Sequence, residues 1–412
     1  MRTLLLLFFV LSGFTFLGQQ VDISMGVGYS SDVFVSMEGG ETLTTNATDW
    51  HIAFDTRSSY NNAIRINDGH GVELVNYPNG DIDDWAVLDT SGLSGWPRLH
   101  NMIDSWSNGA FNVSGSGGAL DFSWGYYTGD PLHDVVGDSL YVLMVPGVWT
   151  KKLRIDVLDS GQWTFTHANI DGTEETTETF HMDEYAGKNF AYYNFATGSL
   201  DDREPSNTDW DLVFTRYFGM TDFGPGATAG ALANDGVQII KATEVDVDDV
   251  SYMDYTFIAD NIGLIGNDWK FLNSSFEWEV TPNQCYFVKN QDETIYKVVF
   301  NSFGGNATGD ITYNAEMLSE TTAGEIGDFS FLNVYPNPSN GDDVKAVVHS
   351  QSPQVLSLRV INMSGQVVSD KQVTLSTGLN QLTLQSSEWA SGIYSILAIS
   401  ESQAVTQQLI IR

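Results

Sequence analysis

The side chains able to ligate a metal or cofactor in this 412-residue chain are few: seven histidines, ten methionines and a single cysteine, Cys285. Six of the histidines (His51, His70, His100, His133, His167 and His181) precede residue 182. No two of them stand i, i+4 on a helical pattern, as a zinc-peptidase motif requires. His70 sits in the turn-like NDGHGV, His100 in WPRLHNM, and Met220 follows the strand-like TRYFG. These three are the candidate cofactor-binding residues; exposed imidazoles with no ligand are the competing interpretation, because the neutral ring is well tolerated near pH 7. A second group is aromatic. Trp85, Trp96 and Trp106 fall within DDWAVLDTSGLSGWPRLHNMIDSWSNGAF, Asp83 to Phe111. Indole faces can stack on a sugar or another flat ligand while nearby Asp and Asn side chains bind its hydroxyls. Equally, large aromatics bury themselves and would staple a long loop onto a sheet.

Acidic clusters raise the question of calcium. Asp246, Asp248 and Asp249 lie in EVDVDDVSY, and Asp81, Asp83 and Asp84 in GDIDDW. Neither follows the D-x-D-x-D-G loop with its later Glu, so exposed acidic turns explain them and no metal site is expected. No Ser–His–Asp order, phosphate loop or H-E-x-x-H motif is present, and the chain is expected not to be an enzyme. Scattered carboxylates converging in space, as in glycosidases, stay open at this level.

The charge is −35, from 53 acidic and 18 basic residues. So acidic a chain repels phosphate backbones and anionic membranes, which excludes nucleic acid as a partner. One cysteine excludes an intramolecular disulfide framework. The charge is unevenly placed. Residues 331–412 hold five acids and four bases, and residues 1–20 only Arg2, so the segment between carries 48 acids and 13 bases, which is again −35.

Arg2 followed by the apolar run Leu4–Leu17 predicts a signal peptide over residues 1–20. The run is shorter than the roughly 20 residues of a membrane span, and no later stretch qualifies, so no transmembrane segment is expected in the mature protein. No cysteine stands nearby to carry a lipid anchor.

Positioning elements emerge from an internal duplication. TDWHIAF (Thr48–Phe54) is repeated as TDWDLVF (Thr208–Phe214); Gly71-Val72-Glu73-Leu74 parallels Gly236-Val237-Gln238-Ile239. Trp124, Tyr141 and Lys152 match Trp269, Tyr286 and Lys297, and GQWTF matches GDITY. The copies run over about 22–172 and 180–320. Apolar and other residues alternate in both TDW segments, which predicts strands with one buried and one wetter face. Cys285 matches Leu140, so a buried core position is expected for it. Copy 1 has 53 positions from Gly71 to Trp124 and copy 2 has 33 from Gly236 to Trp269; the extra length is the tryptophan-bearing loop.

A polar linker, SETTAGEIGD (Ser319–Asp328), precedes the tail. Strand-like runs at Val344–His349, Leu356–Asn362, Val367–Leu375, Ile393–Ile399 and Gln408–Arg412 predict a small β-sandwich over 331–412. Its motifs are YPNPSNG (Tyr335–Gly341), RVINMSGQVV (Arg359–Val368), ASGIYSI (Ala390–Ile396) and the basic end QQLIIR. In order, spacing and position these resemble the type A C-terminal sorting domain of the type IX secretion system of Bacteroidetes. The resemblance implies that Tyr335, Pro336, Asn337, Pro338, Gly341, Gly365, Gly392, Tyr394 and Arg412 belong to the sorting signal. It further implies the type IX machinery as partner, and export through periplasm and outer membrane to the cell surface or medium.

TDWDLVFTRY (Thr208–Tyr217), GNDWKF (Gly266–Phe271) and CYFVKNQDETIYKVVFNSFGGNATGDITY (Cys285–Tyr313) resemble the HmuY-like family of secreted or surface β-proteins. The expected fold is therefore all-β: two tandem HmuY-like antiparallel domains followed by the sandwich. The resemblance implies a binding protein for haem or another tetrapyrrole; the family's ligands lie in variable loops and do not carry over by motif, so axial ligands are sought among His70, His100 and Met220 of this sequence. The alternative is a surface adhesin or glycan-binding protein that uses Trp85, Trp96 and Trp106.

Overall fold

A computed structural model describes residues 19–412 other than 60, 114–117, 119, 130–133, 260, 320–328, 340–342, 363–365, 388 and 401–403. The expected signal peptide, the linker, His133, Gly341 and Gly365 lie wholly or mainly outside the described residues. The chain is all-β, built of antiparallel sheets, and divides into two compact units, 1–319 and 320–412.

In the body, the amino-terminal segment supplies β1 (Gln19–Ser24), β2 (Ser31–Ser36) and β3 (Gly40–Asn46). There follow β4 (Ile52–Asp55), β5 (Ile64–Ile66), β6 (Glu73–Asn76), β7 (Gly125–Tyr127), β8 (Val135–Gly137), β9 (Tyr141–Val145), β10 (Trp149–Asp159) and β11 (Gln162–Asn169). Next come β12 (Thr176–His181), β13 (Phe190–Asn194) and β14 (Ser199–Asp201). The last group is β15 (Leu212–Thr221), β16 (Gly224–Ala233), β17 (Gln238–Thr243), β18 (Lys270–Leu272), β19 (Trp278–Val280), β20 (Gln284–Lys289), β21 (Ile295–Phe303) and β22 (Asp310–Ser319).

The repeats of the sequence are not the units that pack. β1 pairs with β22, and β2 with β15, so the first three strands complete the sheets of residues 212–319. β12 pairs with β11, and β13 with β4, so the first three strands of copy 2 complete copy 1. Each copy thus donates its opening strands to the other. Two cores follow. One unites Ile23, Val33 and Val35 with Leu212, Phe214 and Tyr313; the other unites Ile52, Phe54 and Trp124 with Phe180, Ala191 and Tyr193. A fully buried apolar side chain contributes about 1.5–3 kcal/mol, so the donated residues hold their far partners strongly.

Matching hydrogen bonds run through both halves. Asn67 Nδ2 donates to Ala47 O (2.8 Å) and Trp50 O (3.1 Å); Asn234 Nδ2 donates to Asn207 O and Trp210 O, both 2.7 Å. Gly71 and Gly236, with φ of 86° and 80°, follow them in the left-handed region that glycine enters without steric cost. The two crossovers between halves are tied together by Arg203. Its guanidinium donates to Asp49 Oδ1 (2.8 Å) and Asn46 O (2.7 Å) on one crossover and pairs with buried Asp32 (3.0 Å).

The expected wetter faces of the TDW strands are buried. His51, Ala53 and Asp55, and likewise Asp211 and Val213, are all under 9% exposed. The reason is that the second face of each four-stranded sheet is covered. Phe34, Trp210, Val213 and Leu232 cluster around Trp106, and so do Ala53, Phe190 and Tyr192. A cavity of about 60 Å³ remains between these faces, well below the several hundred Å³ of a small-molecule site.

The extra loop of copy 1 forms a strap onto the other core. Ile262 N donates to Asp104 O (3.2 Å), and Trp106 Nε1 donates to Ala233 O (2.8 Å). Gly263 lies where a Cβ would meet Ile103 O at 2.4 Å, so the strap approaches backbone to backbone. Cys285 and its counterpart Leu140 are fully buried, as expected, and burial raises the thiol pKa.

Among the described residues the tail has seven strands: β23 (Phe329–Tyr335), β24 (Val344–Ser350), β25 (Gln354–Asn362), β26 (Val367–Leu375), β27 (Gly378–Leu384), β28 (Gly392–Ile399) and β29 (Ala404–Ile411). Sheets β23-β24-β27 and β26-β25-β28-β29 enclose one core that includes Val344, Val348, Leu358 and Ile396. β27 lies outside the strand-like runs of the sequence, because Gly378 and the adjacent Asn380 and Gln381 weaken its strand signal.

Candidate functional site

Three residues picked for ligand chemistry come to one strand. Met220 lies in β15 and is 67% exposed. The His100 ring stacks on Phe218 of β15 with centroids 3.4 Å apart and planes 8° from parallel. His70 ends a short 3-10 turn, Asp68–His70, that abuts β15: a Cβ on Gly69 would meet Arg216 O at 2.1 Å, so a larger residue could not dock there. Alternation places Arg216, Phe218 and Met220 on one side of the strand.

Asp68 joins the turn to the strap. Its Oδ2 accepts the Asn101 N–H at 3.0 Å and lies 3.6 Å from His100 Nδ1, longer than a hydrogen bond. At that separation Asp68 stands beside the ring without a hydrogen bond to it. His70 Nε2 and His100 Nδ1 are buried without a hydrogen-bond partner among the described residues. Burial, reinforced by Arg216 and Arg203 against Asp32, holds the His70 pKa below its ordinary value and keeps the ring neutral. A neutral imidazole is the form that ligates a metal.

A groove of about 470 Å³ begins at Met220. It is lined by Tyr217, Met220 and Phe223, by Phe271, Leu272 and Trp278 of the hairpin β18–β19, and by Asp222, Asn267 and Asp268. The tips beside it carry Phe223 and Phe276, 79% and 77% exposed. Lys270 at the groove is buried; its Nζ donates to Ala229 O (2.6 Å) and stands 4.6 Å from the Trp269 ring and 4.7 Å from the Phe303 ring. Burial lowers its pKa to about 7. The groove is lined by Met220 and by neither histidine.

Of the three loop tryptophans, Trp85 and Trp96 pack in one cluster with Tyr77, and Trp106 lies apart from them. Trp85 is buried, donates to Glu175 Oε2 (2.9 Å) and has Lys152 and Arg154 over its ring. Trp96 packs on Tyr77, at 5.7 Å. Trp106 is the wedge under the strap. Arg216, Phe218 and Asp68 were not singled out from sequence, although the alternation in TRYFGM already aligns the first two with Met220.

In the tail, the proline motif clasps the last strand. Asn337 Oδ1 accepts Ile410 N–H (3.0 Å), Ser339 N–H donates to Ile410 O, and Arg412 N–H donates to Ser339 O, both 2.8 Å. Pro336 and Pro338 follow the end of β23, as their missing N–H requires. Tyr335 donates to Gln381 Oε1 (3.1 Å). Gly392 opens β28, and Tyr394 is buried with its hydroxyl on Ala390 O (2.7 Å).

Comparison with protein families matches residues 333–412 to the secretion system C-terminal sorting domain. The tail is such a domain, of the type IX system, and the protein is exported through the outer membrane to the cell surface or secreted. No curated protein matches the chain.

Proposed function

We propose that the exported body is a non-enzymatic binding protein, similar to the HmuY-like family, whose ligand is haem or another tetrapyrrole held along the exposed end of β15. The convergence of His70, His100 and Met220 on that strand, from three separate parts of the sequence, carries the proposal. His100 would supply a nitrogen donor and Met220 a sulfur donor, and Arg216 a cation for the ligand's carboxylates. The neighbouring groove has the volume of a small-molecule site, and aromatic side chains stand there beside Asp222, Asp268 and Lys270. An adhesin working through Trp85, Trp96 and Trp106 is less well supported, because those indoles are engaged within the fold. Titration of the full chain with hemin should give a saturable Soret shift, weakened at least tenfold by His100→Ala or Met220→Ala. A spectrum equal to that of free hemin throughout the titration would end the proposal.

A further inference from the structure

A second cleft brings four asparagines together. It has a volume of about 360 Å³ and is lined by Asn61, Asn62, Ser107, Asn108, Asn112 and Asp121, with Phe122 as its aromatic wall. A neighbouring cleft of about 550 Å³ shares Asn62 and Phe122 and adds Tyr127. The amide cleft is held open by its own hydrogen bonds. Asn112 Nδ2 donates to Asn62 O and Asn62 Oδ1, both 3.2 Å, while Asn112 Oδ1 accepts Ile64 N–H at 3.0 Å. Arg57 donates to Ser107 Oγ (3.0 Å) and pairs with buried Asp55.

From this arrangement we infer that the cleft binds an uncharged saccharide. The Asn62 Nδ2 group and the exposed Asn108 amide offer donors and an acceptor to sugar hydroxyls, and Phe122 lines the cleft for the apolar side of the sugar. Preorganisation by Asn112 and Arg57 lowers the ordering cost of binding. The ligand is uncharged because the body carries −35 and the cleft contains Asp121, which together disfavour an anionic polysaccharide. The amide of half-buried Asn62 keeps its N–H groups for a ligand while its oxygen is used by Asn112. Exposed Asn108 uses its backbone N–H on Ser105 O and contributes its side chain to the cleft.

The test is a printed array of neutral and anionic glycans probed with the full chain, followed by titration with the retained sugar. Asn62→Asp keeps the acceptor for Asn112 and removes the donor, and Asn108→Ala removes an exposed amide, so both variants should melt as the parent does. The expected result is retention of at least one neutral glycan, with affinity at least tenfold lower in the double variant. Retention of anionic glycans alone, of none, or of a neutral glycan with equal affinity in parent and double variant would overturn the inference. Hemin titration of the double variant should match the parent, which separates the two sites.

Discussion

His51 and Asp211 occupy the same place after the repeated tryptophan and do the same work. His51 Nδ1 accepts the Phe195 N–H at 3.1 Å, and Asp211 Oδ2 accepts the Met37 N–H at 2.6 Å. The sequence shows TDWH against TDWD and places both side chains on a wet face, because alternation reports that a strand has two faces and not what covers them. Their ionisation runs in opposite directions. Burial lowers the His51 pKa to about 4, below its ordinary value of 6.5, so the folded state binds fewer protons between those values. Its stability contribution is complete above pH 6.5 and is lost as pH falls towards 4. Burial raises Asp211 to about 6, so its contribution is complete below pH 3.8 and is lost as pH rises through 6. His51→Ala should cost about 1–3 kcal/mol at pH 7 by orphaning the Phe195 N–H. His51→Asp should cost less and should flatten the loss of stability between pH 6.5 and 4. Urea unfolding at pH 7 and pH 4.5 measures both, and an unchanged pH slope in His51→Asp would show that the two positions are not equivalent.

Among the elements, the strap is the one whose presence can be counted from sequence and whose role cannot. Comparing Gly71–Trp124 with Gly236–Trp269 locates the extra residues, and their tryptophans suggest a ligand platform. The structure instead sets Trp106 between the two sheets, with Arg65 4.9 Å from its ring and Phe190 5.7 Å away. No single-copy pattern can reveal this, since the surface that Trp106 covers draws on both copies. Trp106→Ala should lower stability by about 2–4 kcal/mol through lost packing and an orphaned Ala233 carbonyl. The paired amides make a sharper comparison. Asn67→Ala leaves the Ala47 and Trp50 carbonyls of one crossover unpaired, and Asn234→Ala the Trp210 carbonyl of the other, since Asn207 O also accepts from Gln291 Nε2 (2.9 Å), so each should cost about 1–3 kcal/mol. Denaturant midpoints at constant slope would report them; a large effect at one position with none at the other would break the structural equivalence.

For the whole molecule, the repeat was legible and the partner of each repeat was not. Local pattern marks β2, β4, β13 and β15 as strands, but each core-facing set, such as Val33 and Val35 or Ala191 and Tyr193, fits either copy's sheet by polarity alone. Pairing is decided by closure of both sheets at once: β1 against β22 and β12 against β11 bring each donated segment to the far core. This makes a prediction about cooperativity. Residues 19–46 belong energetically with 212–319, from which they are separated by the whole of the other core. Ile23→Ala removes a buried side chain from that shared core and should cost about 2–5 kcal/mol. In native-state hydrogen exchange the loss of protection should spread over β1–β3 and β15–β22, while β4–β14 keep their parent values, because cooperative opening follows packed units and not chain order. Equal loss in β4–β14 would mean that the two cores open as one. Loss confined to β1 would mean that the donated strands are not integral to the carboxy-terminal core, and the donation would then be a surface feature of the body.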